Sequence, residues 1–150
     1  MKLHLGCGPD IKEGFENRDK EIDGWTFQSG LPYADDSIAG ITISHALHIL
    51  TGAEYEAFIA ECFRVLIPLG VLRITDDDTE SPTSKRHSEP WFEAKTLTGP
   101  FQTAKVLDKV GFRTRHVGPK TTHFSDDSLL IERRDLSYVY FIEGIKCATP

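Results

Sequence analysis

What this chain lacks narrows its class first. No apolar run approaches the roughly 18 residues of a membrane-crossing helix, and no basic-then-apolar leader precedes the first strand-like segment. A membrane protein is therefore not expected, and a cytoplasmic one is. Positive charge is scarce: 17 Lys and Arg stand against 23 Asp and Glu, a net charge of −6. A nucleic-acid binder ordinarily shows a basic face, so none is expected here; Lys85, Arg86 and His87 are a candidate for a local basic patch. Cysteine is rare as well. Cys7, Cys62 and Cys147 are odd in number and far apart, which fits neither a disulfide framework nor a zinc motif and suits a reducing compartment. No repeat or low-complexity segment interrupts the 150 residues, which are 39% hydrophobic and 27% charged. That is enough for one substantial core, and a single domain over 1–150 is expected.

The stretch around which the rest is organised is Leu3-His4-Leu5-Gly6-Cys7-Gly8-Pro9-Asp10. Leu3 and Leu5 alternate with His4 as in a short strand. Gly6 and Gly8 then supply a turn that tolerates positive φ and carries no side chain. Such a turn at the C-terminal end of a parallel strand lets a ligand lie against bare backbone, where open α/β sheets bind their ligands. A plain strand and Gly-Pro turn would look the same over eight residues, so the remaining chain must decide.

Further along, Phe15 to Asp19 reads as a second strand ending in an acid. It follows Gly8 too soon for the dozen or so residues of an ordinary parallel crossover, so the first crossover is reduced to a loop or a single turn. Gly30 to Ser37 is turn-rich, and Ile38 to Ser44 alternates β-branched residues as a strand does. Thr51 and Glu54 form a capping box. After it Tyr55, Phe58, Ile59, Cys62, Phe63 and Leu66 fall on one helical face, and Pro68 is expected to end the helix. Val71 to Thr75 is the next strand, followed by Asp76-Asp77-Asp78. Thr79 to Pro100 is a long polar excursion holding Trp91-Phe92, a pair that either floors a pocket or pins the loop. Phe101 to Val110 is a helix stopped by Gly111. Arg113 to Val117 and Tyr138 to Lys146 are late strands, with Leu129 to Glu132 a short element between them. The alternation specifies an α/β sheet with helical crossovers in its middle.

These residues carry a family resemblance. Lys2-Leu3-His4-Leu5-Gly6-Cys7-Gly8-Pro9 resembles the first motif of class I S-adenosylmethionine-dependent methyltransferases. Asn17-Arg18-Asp19 resembles the family's second strand, and Leu31-Pro32-Tyr33-Ala34-Asp35-Asp36-Ser37 its loop before the fourth. Ser44-His45-Ala46-Leu47 resembles the turn after that strand; Glu61 to Leu66 with Leu72-Arg73-Ile74 resembles the helix and strand that follow. Coverage is good to about Asp78 and thin beyond it. The resemblance implies a Rossmann-like three-layer sandwich, mostly parallel, with an antiparallel strand near the C-terminus; the reduced first crossover helix, which the short spacing after Gly8 requires, departs from the family. It implies S-adenosyl-L-methionine as cofactor and methyl transfer to an oxygen or nitrogen of a small-molecule or saccharide acceptor. By the same resemblance Leu5, Gly6, Cys7, Gly8, Pro9, Asp19, Lys20, Leu31, Pro32 and His45 line the cofactor. Asp19 takes the ribose hydroxyls, and no metal ligand is assigned. Three positions depart from the pattern. Phe27, Gln28 and Ser29 stand where an acid often meets the adenine amine, Leu47-His48-Ile49 replaces Leu-Glu-His, and Ile67-Pro68-Leu69-Gly70 replaces a Lys-Pro-Gly-Gly turn.

The chemistry asks little of the protein. A sulfonium methyl is already activated, so holding acceptor and methyl in line is the main task, and a base is needed only where the acceptor must lose a proton. His45, an imidazole at a strand end, is the candidate for that proton or for the methionine end. Asp76 at the next strand tip is expected to face the acceptor. His48 is expected to face solvent, and Cys7 to pack as a small apolar residue rather than act as a nucleophile. Two rival readings remain. One is a non-catalytic cofactor- or partner-binding module on the same fold. The other is a metal-dependent nucleotide-sugar transferase using Asp76 and Asp78, since hard cations favour clustered carboxylates; it leaves the glycine turn unexplained. A dinucleotide site fails because Ile11 stands where the third glycine would.

Overall fold

The computed structural model describes residues 1–78, 99–118, 121–124, 129 and 139–148. The expectations for Lys85, Arg86, His87, Trp91 and Phe92, and for the element after Leu129, lie outside the described residues. Six strands form one sheet in the order β2-β1-β3-β4-β6-β5. They are β1 (Lys2–Leu5), β2 (Glu16–Arg18), β3 (Ile38–Ser44), β4 (Leu66–Asp77), β5 (Phe112–His116) and β6 (Val139–Lys146). β1 pairs in parallel with β2 and β3, and β3 with β4; β6 runs antiparallel to β4 and β5. The Rossmann-like α/β class with an antiparallel strand near the C-terminus is therefore correct. The chain leaves β1 outward to β2 and returns across it to β3. That reversal creates a crevice at the strand tips between β1 and β3.

The first crossover, Gly6 to Phe15, holds no helix, as its length required. A four-residue helix follows β2 instead (α1, Lys20–Asp23), with Asp19 as its N-cap and no buried residue. The longer helices are α2 (Gly52–Val65) and α3 (Pro100–Val110). The capping box of α2 is formed: Thr51 N–H donates to Glu54 Oε2 at 2.8 Å, and Glu54 N–H to Thr51 Oγ1 at 3.4 Å. Pro100 occupies the first turn of α3, and Gly111, at φ 118°, ends it in the left-handed conformation. Pro68 does not end α2. The helix stops at Val65, and Leu66 is already extended and opens β4. Proline restricts the residue before it to extended backbone, so the break falls earlier than the proline. The Ile67–Gly70 bend then lies inside the strand, where the register against β3 shifts.

The two faces of the sheet are built differently. Leu3, Leu5, Ile41, Ile43, Leu72 and Ile74 point to one face and are fully buried with Tyr55, Phe58, Ile59 and Cys62 of α2 and Leu107 of α3. Each such side chain contributes about 1.5–3 kcal/mol of burial. The opposite face carries His4, Thr42, Arg73 and Glu143 side by side in register across β1, β3, β4 and β6, all buried. Arg73 donates to Glu143 Oε1 at 3.0 Å and to the carbonyls of Thr121 and Gly118 at 3.0 and 2.8 Å. Glu143 Oε2 accepts from the N–H groups of His123 and Phe124. This row pins the segment after β5 over the sheet as a third layer.

A second polar system closes the N-terminal ends of the strands. Arg64, in the last turn of α2, donates to the carbonyls of Leu31 and Tyr33 and to Asp35 and Glu61. Lys146, at the end of β6, donates to the carbonyls of Phe63 and Leu66 at 2.7 and 2.8 Å and to Asp36. Cations at a helix C-terminus satisfy carbonyls that have no partner within the helix. The loop from Leu31 to Ser37 is thereby fastened to this lower rim.

Candidate functional site

At the upper rim the tips of β1, β2, β3 and β4 meet. Gly6, at φ 63°, donates its N–H to Arg18 O at 2.9 Å, and Gly8, at φ 53°, donates to Asp19 Oδ2 at 3.0 Å. The other Asp19 oxygen accepts from Glu21 N–H at 3.0 Å, capping α1. One partly exposed carboxylate thus couples the glycine turn to the end of β2, and its remaining lone pairs can take further donors.

The two glycines do different work. A Cβ on Gly6 would stand 2.8 Å from Phe27 Cζ and 2.9 Å from Ala46 Cβ, whereas a Cβ on Gly8 would meet nothing within 4 Å. Gly6 is small because protein packs against it. Gly8 is bare toward open space. Phe27 was not a site expectation at all. Its ring sits edge-on to Phe58 at 4.8 Å and to Trp25 at 5.0 Å, and Trp25 Nε1 donates to Gly30 O at 2.9 Å. The segment that departs from the family's adenine acid is therefore an aromatic plug beneath the glycine turn.

Cys7 is buried, with its thiol 3.8 Å from Arg18 O. Burial first, and the Asp19 carboxylate second, push its pKa up, so it stays a protonated packing group, as read from sequence. Leu5 is fully buried and offers the site only its backbone. Pro9 and Lys20 are exposed beside the turn. Leu31 and Pro32 are not brought to this rim: Leu31 is in the core with its carbonyl held by Arg64, at the far ends of the strands.

His45 follows β3 directly and is one of three non-glycine residues at positive φ, 52°, among the described residues. Its N–H donates to Thr75 O at 2.8 Å, and its Nδ1 lies 3.4 Å from Asp77 Oδ2. Asp76 does not face an open acceptor site. It is fully buried; Oδ1 accepts from His48 Nδ1 and from Asp77 N–H, both at 2.8 Å, and Oδ2 accepts from Leu47 N–H at 3.1 Å. Its present task is to hold the Leu47–Ile49 turn against β4. His48 is correspondingly buried rather than solvent-facing. The clue was a histidine where the family pattern has an acid, with an unmatched aspartate one strand away. Beneath Asp76, and next to it in register on β6, Tyr140 shares a hydroxyl chain with Thr103 (2.7 Å) and Tyr55 (3.0 Å). Burial raises both phenol pKa values, so these hydroxyls stay protonated and neutral.

Residues 17–74 match the family described as a methyltransferase domain. Among curated proteins none matches this sequence significantly. Solved structures do. A SAM-dependent methyltransferase of Thermotoga maritima, described as a possible histamine N-methyltransferase, aligns over 97% of this chain and 81% of its own at 17% identity and TM-score 0.64. One from Archaeoglobus fulgidus aligns over 97% and 85% at 16% identity and TM-score 0.61. An O-methyltransferase family protein from Burkholderia thailandensis aligns over 99% of this chain and 51% of its own at 11% identity and TM-score 0.61. At these identities the likeness establishes the fold; the acceptors differ among the similar structures.

Proposed function

With a methyltransferase domain matched over residues 17–74 on a class I, S-adenosylmethionine-dependent methyltransferase fold, we propose that this protein transfers a methyl group to an oxygen or nitrogen of a small-molecule or saccharide acceptor. The observation that carries the proposal is the upper rim at the β1/β3 reversal, where Gly8 leaves open space directly beside the Asp19 carboxylate. Those residues fit the cofactor. The backbone of Gly6 to Pro9 offers a surface without side chains at Gly8, Asp19 keeps acceptor capacity for ribose hydroxyls, and His45 borders the turn through Ala46. Lys20 flanks this site as an exposed cation. When bound, S-adenosylmethionine supplies an already electrophilic methyl group. The chain's part is to orient the acceptor and, where the acceptor carries a proton, to accept it at the imidazole of His45. Asp76 contributes by fixing the turn that carries His48.

The deciding experiment is calorimetric titration of the purified chain with S-adenosylmethionine and S-adenosylhomocysteine. Micromolar binding is the expected result, followed by a methyl-acceptor screen. Binding without turnover across that screen would favour the non-catalytic module. Silence toward both adenosyl ligands, with binding of a nucleotide sugar in Mn²⁺, would replace the reading with the nucleotide-sugar transferase.

A further inference from the structure

At the tips of β3 and β4, His45, Asp76 and Asp77 bring one potential ligand atom each to within 4.8 Å of one another. We propose that this triad binds one divalent transition-metal ion, and that the ion draws an oxygen-bearing acceptor to the upper rim. The ion site stands on its own geometry; the acceptor class rests on the methyltransferase reading.

Three observations carry it. The first is His45. Its side chain is only 9% exposed, and Nδ1 makes no hydrogen bond while lying 3.4 Å from Asp77 Oδ2. A buried imidazole nitrogen without a hydrogen bond is costly. The gap suits a shared ion, because two neighbouring donors each about 2.1 Å from a metal stand roughly 3 Å apart. The second is the way Asp76 is held. His48 Nδ1 and Asp77 N–H occupy Oδ1, and Leu47 N–H takes one lone pair of Oδ2, which leaves the other for a metal. A ligating carboxylate steadied by outer hydrogen bonds is the usual arrangement, and His48 is the outer partner here. The third is donor chemistry. One imidazole nitrogen with two carboxylate oxygens suits Mn²⁺, Fe²⁺ or Zn²⁺ better than Ca²⁺ or Mg²⁺, which favour oxygen throughout.

Donors on opposite sides of such an ion lie about 4.2 Å apart, so the triad closes by roughly half an ångström on binding. Three protein donors leave positions for water or for the oxygens of an acceptor hydroxyl or diol, whose acidity the ion raises. With Nδ1 on the metal, His45 holds the ion, and the proton role proposed above for its imidazole belongs to the ion-free site. This site is distinct from the Asp76/Asp78 pair of the nucleotide-sugar reading.

The test uses the whole chain, stripped with chelator and titrated with Mn²⁺ alone, followed by loss of the free-ion EPR signal. A parallel titration uses S-adenosylhomocysteine. One tightly held ion per chain is expected, with pulsed-EPR coupling to an imidazole nitrogen. Asp77→Asn is expected to weaken Mn²⁺ by more than the ~10-fold typical of an outer partner, with S-adenosylhomocysteine affinity unchanged. No Mn²⁺ binding, no nitrogen coupling, or equal binding by Asp77→Asn would each overturn the site. Should Asp77→Asn fail to fold, nitrogen coupling in the unaltered chain decides alone. Adenosyl binding without Mn²⁺ binding removes the ion site and spares the methyltransferase reading; the reverse keeps the ion site and removes the acceptor class.

Discussion

At the N-terminal ends of the strands, Arg64 and Lys146 direct their donors into carbonyls and carboxylates of the loops and of α2. At the C-terminal ends the sense is reversed: carboxylates accept from backbone N–H groups, Asp19 from Gly8 and Asp76 from Leu47. The lower rim is closed by long cations that can be removed without touching the crevice. The upper rim is shaped by short acids that hold the backbone of the turns around them. On the proposed function, stability and chemistry belong to opposite ends of the same sheet, and substitutions at the two ends should separate them.

Gly6→Val gives the largest expected effect, because Phe27 and Ala46 already occupy its Cβ position and valine resists positive φ. Overpacking of 1–3 kcal/mol plus a left-handed penalty of 1–2 kcal/mol predicts a loss of roughly 3 kcal/mol in denaturant unfolding. Gly8→Val, with open space around it, should lose only the second part but abolish adenosyl binding. Equal stability losses for the pair would break the distinction between packed and bare glycine. Asp19→Asn comes next. Asparagine caps a helix as well as aspartate, so melting should hardly move, while S-adenosylhomocysteine affinity falls by about tenfold, or ~1.4 kcal/mol. At the lower rim, Arg64→Met should cost about 1 kcal/mol, since a third of the side chain faces water. The same variant should bind S-adenosylhomocysteine as before, and an altered affinity would dissolve the separation of the two ends.

The smallest effect concerns the thiols. Burial raises the pKa of Cys7 and Cys62 above the ordinary 9.0, so the unfolded chain releases those protons first as pH rises. Native stability should therefore decline gently above about pH 9. At neutral pH a thiol reagent should modify one group quickly, the exposed Cys147, with the other two following only on unfolding.

Much of the sheet was legible because it rests on local signals. β1, β3, the capping box at Thr51 and the stop at Gly111 are each written within a few neighbouring residues. The end of α2 was misread because a proline acts on the residue before it, and the helix had already ended. The meeting of Gly8 with Asp19 was legible, because a motif joins the two strand ends. The places of Phe27, His48 and Asp76 were not legible. Their roles depend on which way a side chain turns at a strand tip and on partners 28 residues away, as for His48 and Asp76. Leu31 and Pro32 fit a motif but belong to the lower rim, since the chain passes from one end of the sheet to the other between Phe27 and Ile38.

The helix-free first crossover also bears on how the chain folds. Leu3 pairs with Glu16 only thirteen residues away, whereas Arg73 must find Glu143 across seventy. Closing the short loop loses less chain entropy, and near contacts form before distant ones. The glycine turn and Asp19 can therefore come together while the C-terminal strands are still undocked, so the side of the crevice proposed for the adenosyl group is assembled early and the sheet's other half is added to it.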